Sequence, residues 1–338
     1  MARELNSFGE DVYGLSGSIK LDSSVKKILS YRPILANILK DSCTDFSKFN
    51  VDEIISMIDR IHMESIPVGP GQTNDPIRGE NRESTIPGEG EIRYDIRFNV
   101  ASAEGDGALD RLIDLEPQYN ARRRSYDFET RGIAYCCRMV SEQLGYEVLR
   151  GNHYERIHKV KSIWILMESS QQDSNTLSEY AIREVNHIGE CSYTPRTDLM
   201  STTMIRLPKD DEWEKAKNPP TRLMELLSTL LSNRIAPDEK IGLLENKFAI
   251  ACTSEFVKEV HDMCNYSEMI AERAAERAAK KAAERTAERT TEEVSVRCIR
   301  NLMEGMHFTA DRAMDVLKIP EDKRALYTNM LEEEKTSK

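Results

Sequence analysis

The sequence lacks a long apolar run, a paired-cysteine motif and an excess of basic residues. No apolar stretch approaches the roughly 18 residues that a membrane-spanning helix requires, which excludes an integral membrane protein and predicts no membrane partner. The first residues lack the charged-then-apolar pattern of a signal peptide. The seven cysteines are odd in number and contain no C-x-x-C pair, which argues against a disulfide framework or a zinc knuckle. Together these absences predict a protein of the reducing cytoplasm.

Net charge restricts the function further. The chain carries 47 lysines and arginines against 58 acidic residues, a net charge of −11, so it is not a polycation as a whole. Residues 117–165 are the exception, with nine basic and five acidic residues. Such a basic island in an acidic protein could contact phosphates, or it could be a solvated helix face, and charge alone favours the second interpretation.

Composition divides the 338 residues into four segments. A hydrophobic content of 39% is enough for a real core, which excludes a disordered chain. We expect a loose polar leader over residues 1–27, a main domain over 28–262, an Ala/Glu/Arg-rich helical spacer over 263–298 and a small helical annex over 299–331. The spacer repeats every four residues, so its alanine stripe winds around the helix by about 40° per repeat. This favours a solvated helix over a heptad coiled coil.

The main domain alternates between helical and strand patterns. Residues 33–62 have the apolar spacing of helices, and residues 65–90 are rich in proline and glycine, as loops are. Apolar and polar residues then alternate in 94–100 and in 112–118, which predicts the two strands of a hairpin. Downstream we expect a helix over 120–144, strands over 159–167 and 201–207, and helices over 222–231 and from 237. This order predicts an α/β core.

The polar face of the predicted hairpin carries the candidate chemistry. Asp95 lies on the polar side of the first strand, whereas Asp114, Glu116 and Gln118 share the polar side of the second. We expect Asp95 and Glu116 to converge on adjacent strands, where two carboxylates repel each other unless a cation lies between them. Their hard oxygens suit Mg²⁺. The alternative is a solvated outer face without a ligand, which two acids and a glutamine alone do not exclude.

Four ordered segments carry a resemblance to a known family. They are YDIRF (residues 94–98), LIDLEPQ (112–118), RGIAYCCRMVSEQLG (131–145) and YERIHKVKSIWIL (154–166). In order and spacing they resemble the PD-(D/E)XK nuclease family transposases, also called recombination-promoting nucleases. The later LLSTLLS and MCNYSE segments and the helical tail match as well, so the likeness covers residues 28–331. The glutamate–x–glutamine motif alone is weak, whereas the ordered set is specific.

The resemblance implies a restriction-endonuclease-like core, which is a mixed sheet flanked by helices, with a C-terminal helical extension. It also implies cleavage of DNA with Mg²⁺, or with Mn²⁺ or Ca²⁺ in its place. By position, Asp95 and Glu116 are the implied metal ligands, and Gln118 stands where the general signature has a lysine. A glutamine can donate and accept hydrogen bonds but brings no charge.

Pro117 is the one departure from the family pattern, which more often has a small residue there. Proline removes a ladder hydrogen-bond donor and belongs at sheet edges or bulges. Either the strand is distorted beside the site or the site is degraded.

Further candidates lie on both sides of the hairpin. Glu83 falls where relatives often have an acidic residue and is a candidate third ligand, although other acids lie nearby. Four arginines follow the second strand and could grip backbone phosphates or belong to an exposed helix start: Arg122, Arg123, Arg124 and Arg131. Tyr135 could face the site from the long helix, but a core position is favoured.

Three functions from different classes follow from these observations. The first is a Mg²⁺-dependent DNA endonuclease linked to recombination or mobile elements, in which Asp95 and Glu116 hold the metal and Gln118 places the attacking water. The second is a catalytically degraded nuclease scaffold that binds DNA, which Pro117 and the acidic total charge motivate. The third is an assembly role, in which the C-terminal helices of residues 265–331 join subunits into a homo-oligomer.

Overall fold

The computed structural model divides into two compact units, residues 1–268 and residues 269–338. Among the described residues, no helix is long and apolar enough to cross a membrane. The structure describes residues 19–63, 83–84, 92–101, 109–119, 127–144, 152–169, 172–190, 192, 196–210 and 219–336.

Strands and helices alternate along the first unit, which confirms the predicted α/β class. The strands are β1 (Ile58–Met63), β2 (Glu83–Ser84), β3 (Ile92–Arg93), β4 (Ile96–Ala101), β5 (Leu109–Gln118), β6 (Lys159–Leu166), β7 (Thr176–Ala181) and β8 (Met200–Arg206). The helices are α1 (residues 19–29), α2 (Arg32–Ser42), α3 (Val51–Met57), α4 (Phe128–Glu142), α5 (Arg222–Leu231), α6 (Pro237–Asn246), α7 (Ser254–Met306), α8 (Ala310–Val316) and α9 (Glu321–Thr336).

Six of the described strands form one mixed sheet in the order β1-β4-β5-β6-β8-β7. The strands β5, β6 and β8 run parallel, whereas β1 and β4 on one side and β7 on the other pair antiparallel to their neighbours. Helix α4 lies in the connection between β5 and β6 and packs on β6 and β8. Seven of the eight residues of β6 are buried, as its near-continuous apolar sequence predicts for a central parallel strand.

The two predicted hairpin strands are β4 and β5, which pair from Ile96 opposite Leu115 to Ala101 opposite Leu109. Pro117 does not distort β5, because the strand pairs with β6 in unbroken register through Gln118. The ladder with β4 ends at Leu115, so Pro117 lies beyond that ladder, where a missing donor is tolerated. Of the two alternatives for Pro117, a distorted strand is therefore not what the structure shows, and a degraded site stays a prediction.

The leader predicted over residues 1–27 is corrected by helix α1. Leu21, Val25 and Ile28 recur at spacings of four and three residues, and all three are buried. Residues 19–27 therefore belong to the folded first unit, because their apolar stripe packs into its core. Residues 1–18 lie outside the described part of the chain.

The helical prediction for residues 33–62 is wrong beyond Met57. A capping box begins α3, in which Asn50 and Glu53 exchange side-chain and backbone hydrogen bonds. From Ile58 the chain forms β1, which pairs with β4. The isoleucines have helical spacing, but pairing with an available strand edge overrides such a local pattern. Strand β7 was also not expected, and its mostly exposed residues show why apolar alternation is weak there.

The second unit contains residues 269–306 of α7, together with α8 and α9, and has a small apolar core of its own. Ile299, Met314 and Tyr327 are the buried centre of that core. Helix α7 is continuous, so the predicted boundaries at residues 263 and 299 both fall inside one helix. Its residues 274–291 are exposed, as expected of a solvated helix.

Candidate functional site

Asp95 and Glu116 lie side by side where the β4–β5 ladder ends. Asp95 immediately precedes β4, and Glu116 follows Leu115, the last β5 residue that pairs with β4. The backbone N–H of Asp95 donates to Glu116 Oε1 at 2.9 Å. The backbone N–H of Asp95, which lies just beyond the backbone ladder, is therefore paired with the Glu116 side chain. The structure brings the two predicted acids together.

Gln118 ends β5 on the same side of the strand as Glu116. The backbone oxygen of Gln118 accepts from the N–H of Met167 at 2.9 Å, which fixes the end of the strand. The residue is only 8% exposed, and its Oε1 has no hydrogen-bond partner among the described residues. A buried amide oxygen without a donor costs about 1–3 kcal/mol, so this atom is placed to accept a hydrogen bond or to bind a cation.

Asp114 is the third acid of this face and was not selected as a site residue. It is fully buried, and its Oδ2 accepts from Ser162 Oγ at 2.7 Å. The indole N–H of Trp164 donates to the same Ser162 oxygen at 2.8 Å. The period-two alternation of β5 already placed Asp114 beside Glu116, but burial from the neighbouring elements could not be inferred from that pattern.

Burial perturbs all three carboxyls in the same direction. The pKa of Glu116 is well above its ordinary value because of burial first, and then because of the negative charges of Asp114 and Asp95. Burial raises the pKa of Asp114 to about 7, although the hydrogen bond from Ser162 opposes the shift. Burial also raises the pKa of Asp95. These groups therefore hold protons at pH values where exposed acids are ionised, and a bound cation would favour their ionised forms.

Lys26 of α1 places a positive charge at the site. Its Nζ lies 2.7 Å from Asp95 Oδ1 and 2.7 Å from Asp22 Oδ2, and the residue is 8% exposed. Sequence reasoning missed it because Lys26 falls in the segment predicted to be a loose leader. The apolar spacing around it, with Val25 and Ile28 buried, is the signal that could have placed it in a packed helix.

Helix α4 covers the acid face with aromatic and cationic side chains. The Arg131 Nη2 donates to the Tyr135 hydroxyl at 2.6 Å, and the guanidinium lies 5.1 Å and 5.3 Å from the ring centres of Tyr135 and Trp164. The predicted phosphate contact Arg131 is therefore held against two rings. Tyr135 is buried, as predicted, and burial followed by the charge of Glu116 raises its pKa to about 12.

A glycine lets α4 approach the sheet this closely. A Cβ at Gly132 would lie 2.3 Å from Thr202 Oγ1 and 3.0 Å from Trp164 Nε1. Those separations are shorter than van der Waals contact, so the helix could not occupy its position with a larger residue. Because Trp164 is in register with Glu116, the close approach packs α4 on the sheet face that carries the acids.

The side chains of four predicted site residues lie outside the described part of the structure. Arg122, Arg123 and Arg124 lie outside the described residues. Glu83 has its backbone in β2, paired with Arg93, but its side chain lies outside the described part of the structure. The candidate site therefore consists of Asp95, Glu116 and Gln118, to which the structure adds Asp114 and Lys26.

The candidate site offers two carboxylates and one amide oxygen to a metal ion. In the described ranges, no three or more histidine, cysteine, aspartate or glutamate side chains are grouped so that they could hold one. The smaller predicted set fits in its chemistry, because Asp95 and Glu116 offer hard carboxylate oxygens and Gln118 offers a buried oxygen without a donor. Lys26 partly fulfils the role of a cation, since it already neutralises Asp95.

Comparisons of the chain with protein-family models, with curated proteins and with solved structures found no match.

Proposed function

We propose that this protein is a metal-dependent DNA endonuclease with a restriction-endonuclease-like core, linked to recombination or mobile elements. The observation that carries the proposal is the contact between Asp95 and Glu116 at the end of the β4–β5 ladder, with the unpartnered oxygen of Gln118 on the same side of β5. The resemblance of the ordered segments to the PD-(D/E)XK nuclease family transposases supports the choice of reaction and substrate.

The residues that would hold the metal are Asp95 and Glu116, with Gln118 Oε1 as a further oxygen donor. Mg²⁺ is the expected ion, and Mn²⁺ or Ca²⁺ would suit the same oxygens. When bound, such an ion supplies Lewis-acid charge stabilisation to a phosphodiester. Because the two carboxyls have raised pKa values, metal binding would displace protons from them.

The other side chains would orient the attacking water and stabilise the charge that develops on the phosphate. The Gln118 amide oxygen can accept a hydrogen bond from the attacking water and so orient it, while its NH₂ donates to a phosphate oxygen. Lys26 supplies the positive charge that Gln118 lacks, since its ammonium lies within 2.7 Å of Asp95 and can stabilise charge that develops on the phosphate. The predicted contacts of Arg122, Arg123, Arg124 and Arg131 with DNA phosphates are kept as part of this proposal.

A plasmid-nicking assay tests the proposal. We expect the full chain to nick DNA in Mg²⁺, to be inactive in EDTA, and to lose at least about 100-fold in rate in the D95N and E116Q variants. Asp52, in the first turn of α3 and exposed, gives the matched control D52N, which should keep full activity. Cleavage by D95N and E116Q at the rate of the unmodified chain would disprove the assigned site, and no cleavage with Mg²⁺, Mn²⁺ or Ca²⁺ would disprove the activity.

The ion pair between Lys26 and Asp95 favours one alternative, a nuclease scaffold that binds DNA without cutting it. A protein ammonium that permanently neutralises the acid would remove the need for a metal. Gel-shift affinities distinguish the two functions: an endonuclease should bind DNA more tightly with Ca²⁺ and lose that dependence in E116Q, whereas a scaffold should bind equally with and without the ion.

Assembly through the C-terminal helices is the third proposal. Val294, Val316 and Leu326 of the second unit are apolar and exposed by 41%, 56% and 42%, respectively. A homo-oligomer would bury such residues. By light scattering, the full chain should be a multimer, and a triple variant with serine at these positions should be a monomer. A monomeric full chain would disprove this role.

A further inference from the structure

Lys240 and Cys264 form an isolated pair between two helices of the first unit. Lys240 belongs to α6 and is fully buried, whereas Cys264 belongs to α7 and is 8% exposed. The Lys240 Nζ donates to Cys264 Sγ at 3.3 Å. Among the described residues, this sulfur is the hydrogen-bond partner of the ammonium, and no carboxylate lies within ion-pair distance of it.

A buried lysine without a carboxylate partner is unusual and chemically informative. Lysines are almost never fully buried unless they are paired with an opposite charge. Burial lowers the pKa of Lys240, so the neutral amine with its lone pair is more populated than at the surface. A neutral amine is a nucleophile, and the atom in its reach is the sulfur of Cys264.

We propose that Lys240 and Cys264 are a modification site that forms a reversible sulfur–nitrogen crosslink under hydroperoxide stress. Hydrogen peroxide transfers one oxygen to the Cys264 sulfur, which forms a sulfenic acid, and its other oxygen leaves as water. The lone pair of the Lys240 nitrogen then attacks the sulfur, the sulfur–oxygen bond breaks, and hydroxide leaves with a nitrogen proton as a second water. The balanced change is one thiol, one amine and one peroxide to one sulfenamide and two waters.

The crosslink would join α6 to α7 beside the candidate site. Nearby, Ser267 of α7 donates to Asn233 Oδ1 at 2.5 Å, so this part of α7 already has a second attachment to the preceding chain. Asn233 lines one pocket together with Tyr119, the residue after Gln118. The modification would therefore lie close to the end of β5, although it does not depend on nuclease activity.

Mass spectrometry of the full chain tests the crosslink directly. After hydrogen peroxide and trypsin, we expect the peptide of residues 235–247, uncleaved after Lys240, joined to the peptide of residues 259–273 and lighter than their sum by two hydrogen atoms. Dithiothreitol should release both peptides. The crosslink should be absent from the C264A and K240M variants, either of which suffices if the other does not fold.

Cys252 provides the matched control. It is half-buried, and its thiol donates to the backbone oxygen of Ile250 at 3.5 Å instead of contacting a lysine. The C252S variant should therefore form the crosslink as the unmodified chain does. Oxidation of Cys264 to its sulfinic or sulfonic acid with normal tryptic cleavage after Lys240 would overturn the proposal, and so would a Cys264 thiol that stays unreacted in the folded protein.

Discussion

Replacing Asp114 with asparagine should stabilise the protein, and more so at alkaline than at acidic pH. Burial raises the pKa of this fully buried carboxyl from 3.8 to about 7. Because the folded chain then binds the proton more tightly than the unfolded chain, the free energy of unfolding falls as the pH rises from 3.8 and levels off above about 7. At 1.36 kcal/mol per pH unit, the loss above pH 7 amounts to about 4 kcal/mol.

The D114N substitution should restore much of that loss. Its amide oxygen can accept from Ser162 as the carboxylate does, and its NH₂ can donate to Glu116, which the carboxylate repels. We expect the free energy of unfolding to increase by about 2–4 kcal/mol at pH 8, and by less than half of that at pH 5, where the buried acid already holds its proton.

Urea denaturation at pH 5, 6, 7 and 8 in EDTA measures this difference. Asp127 supplies the control because it caps α4, is exposed, and has a pKa that hydrogen bonds from Glu129 and Thr130 lower. Asparagine caps helices as well as aspartate does, so D127N should change stability little and by the same amount at every pH. Curves for D114N and the unmodified chain that run parallel from pH 5 to 8 would refute the reasoning.

Two further predictions concern the elements that surround the acids. The K26M variant should lose at least about tenfold in nicking rate, because it removes the positive charge beside Asp95. The control K27M removes only a more exposed ion pair with Glu259 and should nick DNA at the normal rate. Equal nicking rates in the two variants would exclude Lys26 from the reaction. The G132A substitution should lower the free energy of unfolding, measured in urea, by about 1–3 kcal/mol, because the added methyl group would meet Thr202. At the helical Gly242 an added Cβ would meet Asn246 Nδ2 at 4.0 Å, an ordinary contact, so G242A should instead raise the free energy of unfolding by up to about 1 kcal/mol. A similar gain in G132A would contradict the close packing.

The alternating patterns of β4 and β5 predicted two of the strands and the side of β5 on which the candidate site residues lie. Period-two spacing located both hairpin strands, and it placed Glu116 and Gln118 on one side of β5, with Asp95 across the ladder. This prediction succeeded because strand alternation is a local property that each residue carries with it. Neither β1 nor β7 could be found in the same way, because edge strands form where a partner strand is available.

Burial of the acids could not be predicted from the hairpin alone. Whether Asp114 and Glu116 face water depends on how α4, the next helix along the chain, packs on the sheet, and the glycine at residue 132 lets it pack closely. Lys26 was missed for a related reason, because a polar, glycine-rich stretch of sequence concealed a helix whose buried face becomes evident only against the rest of the core. Local patterns identified the residues, and tertiary packing determined their chemistry.

The burial that disfavours the ionised forms of the acids also makes them suited to bind a cation. A solvated pair of carboxylates would keep ordinary pKa values and bind a cation weakly, because water competes for both partners. Under α4, Asp114 and Glu116 are nearly free of water, so their charge is neutralised by a proton, by Lys26 on the neighbouring Asp95, or by a bound cation. A fold that served stability alone would have apolar residues at these positions, since buried acids without full compensation lower the free energy of unfolding. Their burial together on β5, beside Asp95, is the physical argument for proposing this face of the sheet as a functional site.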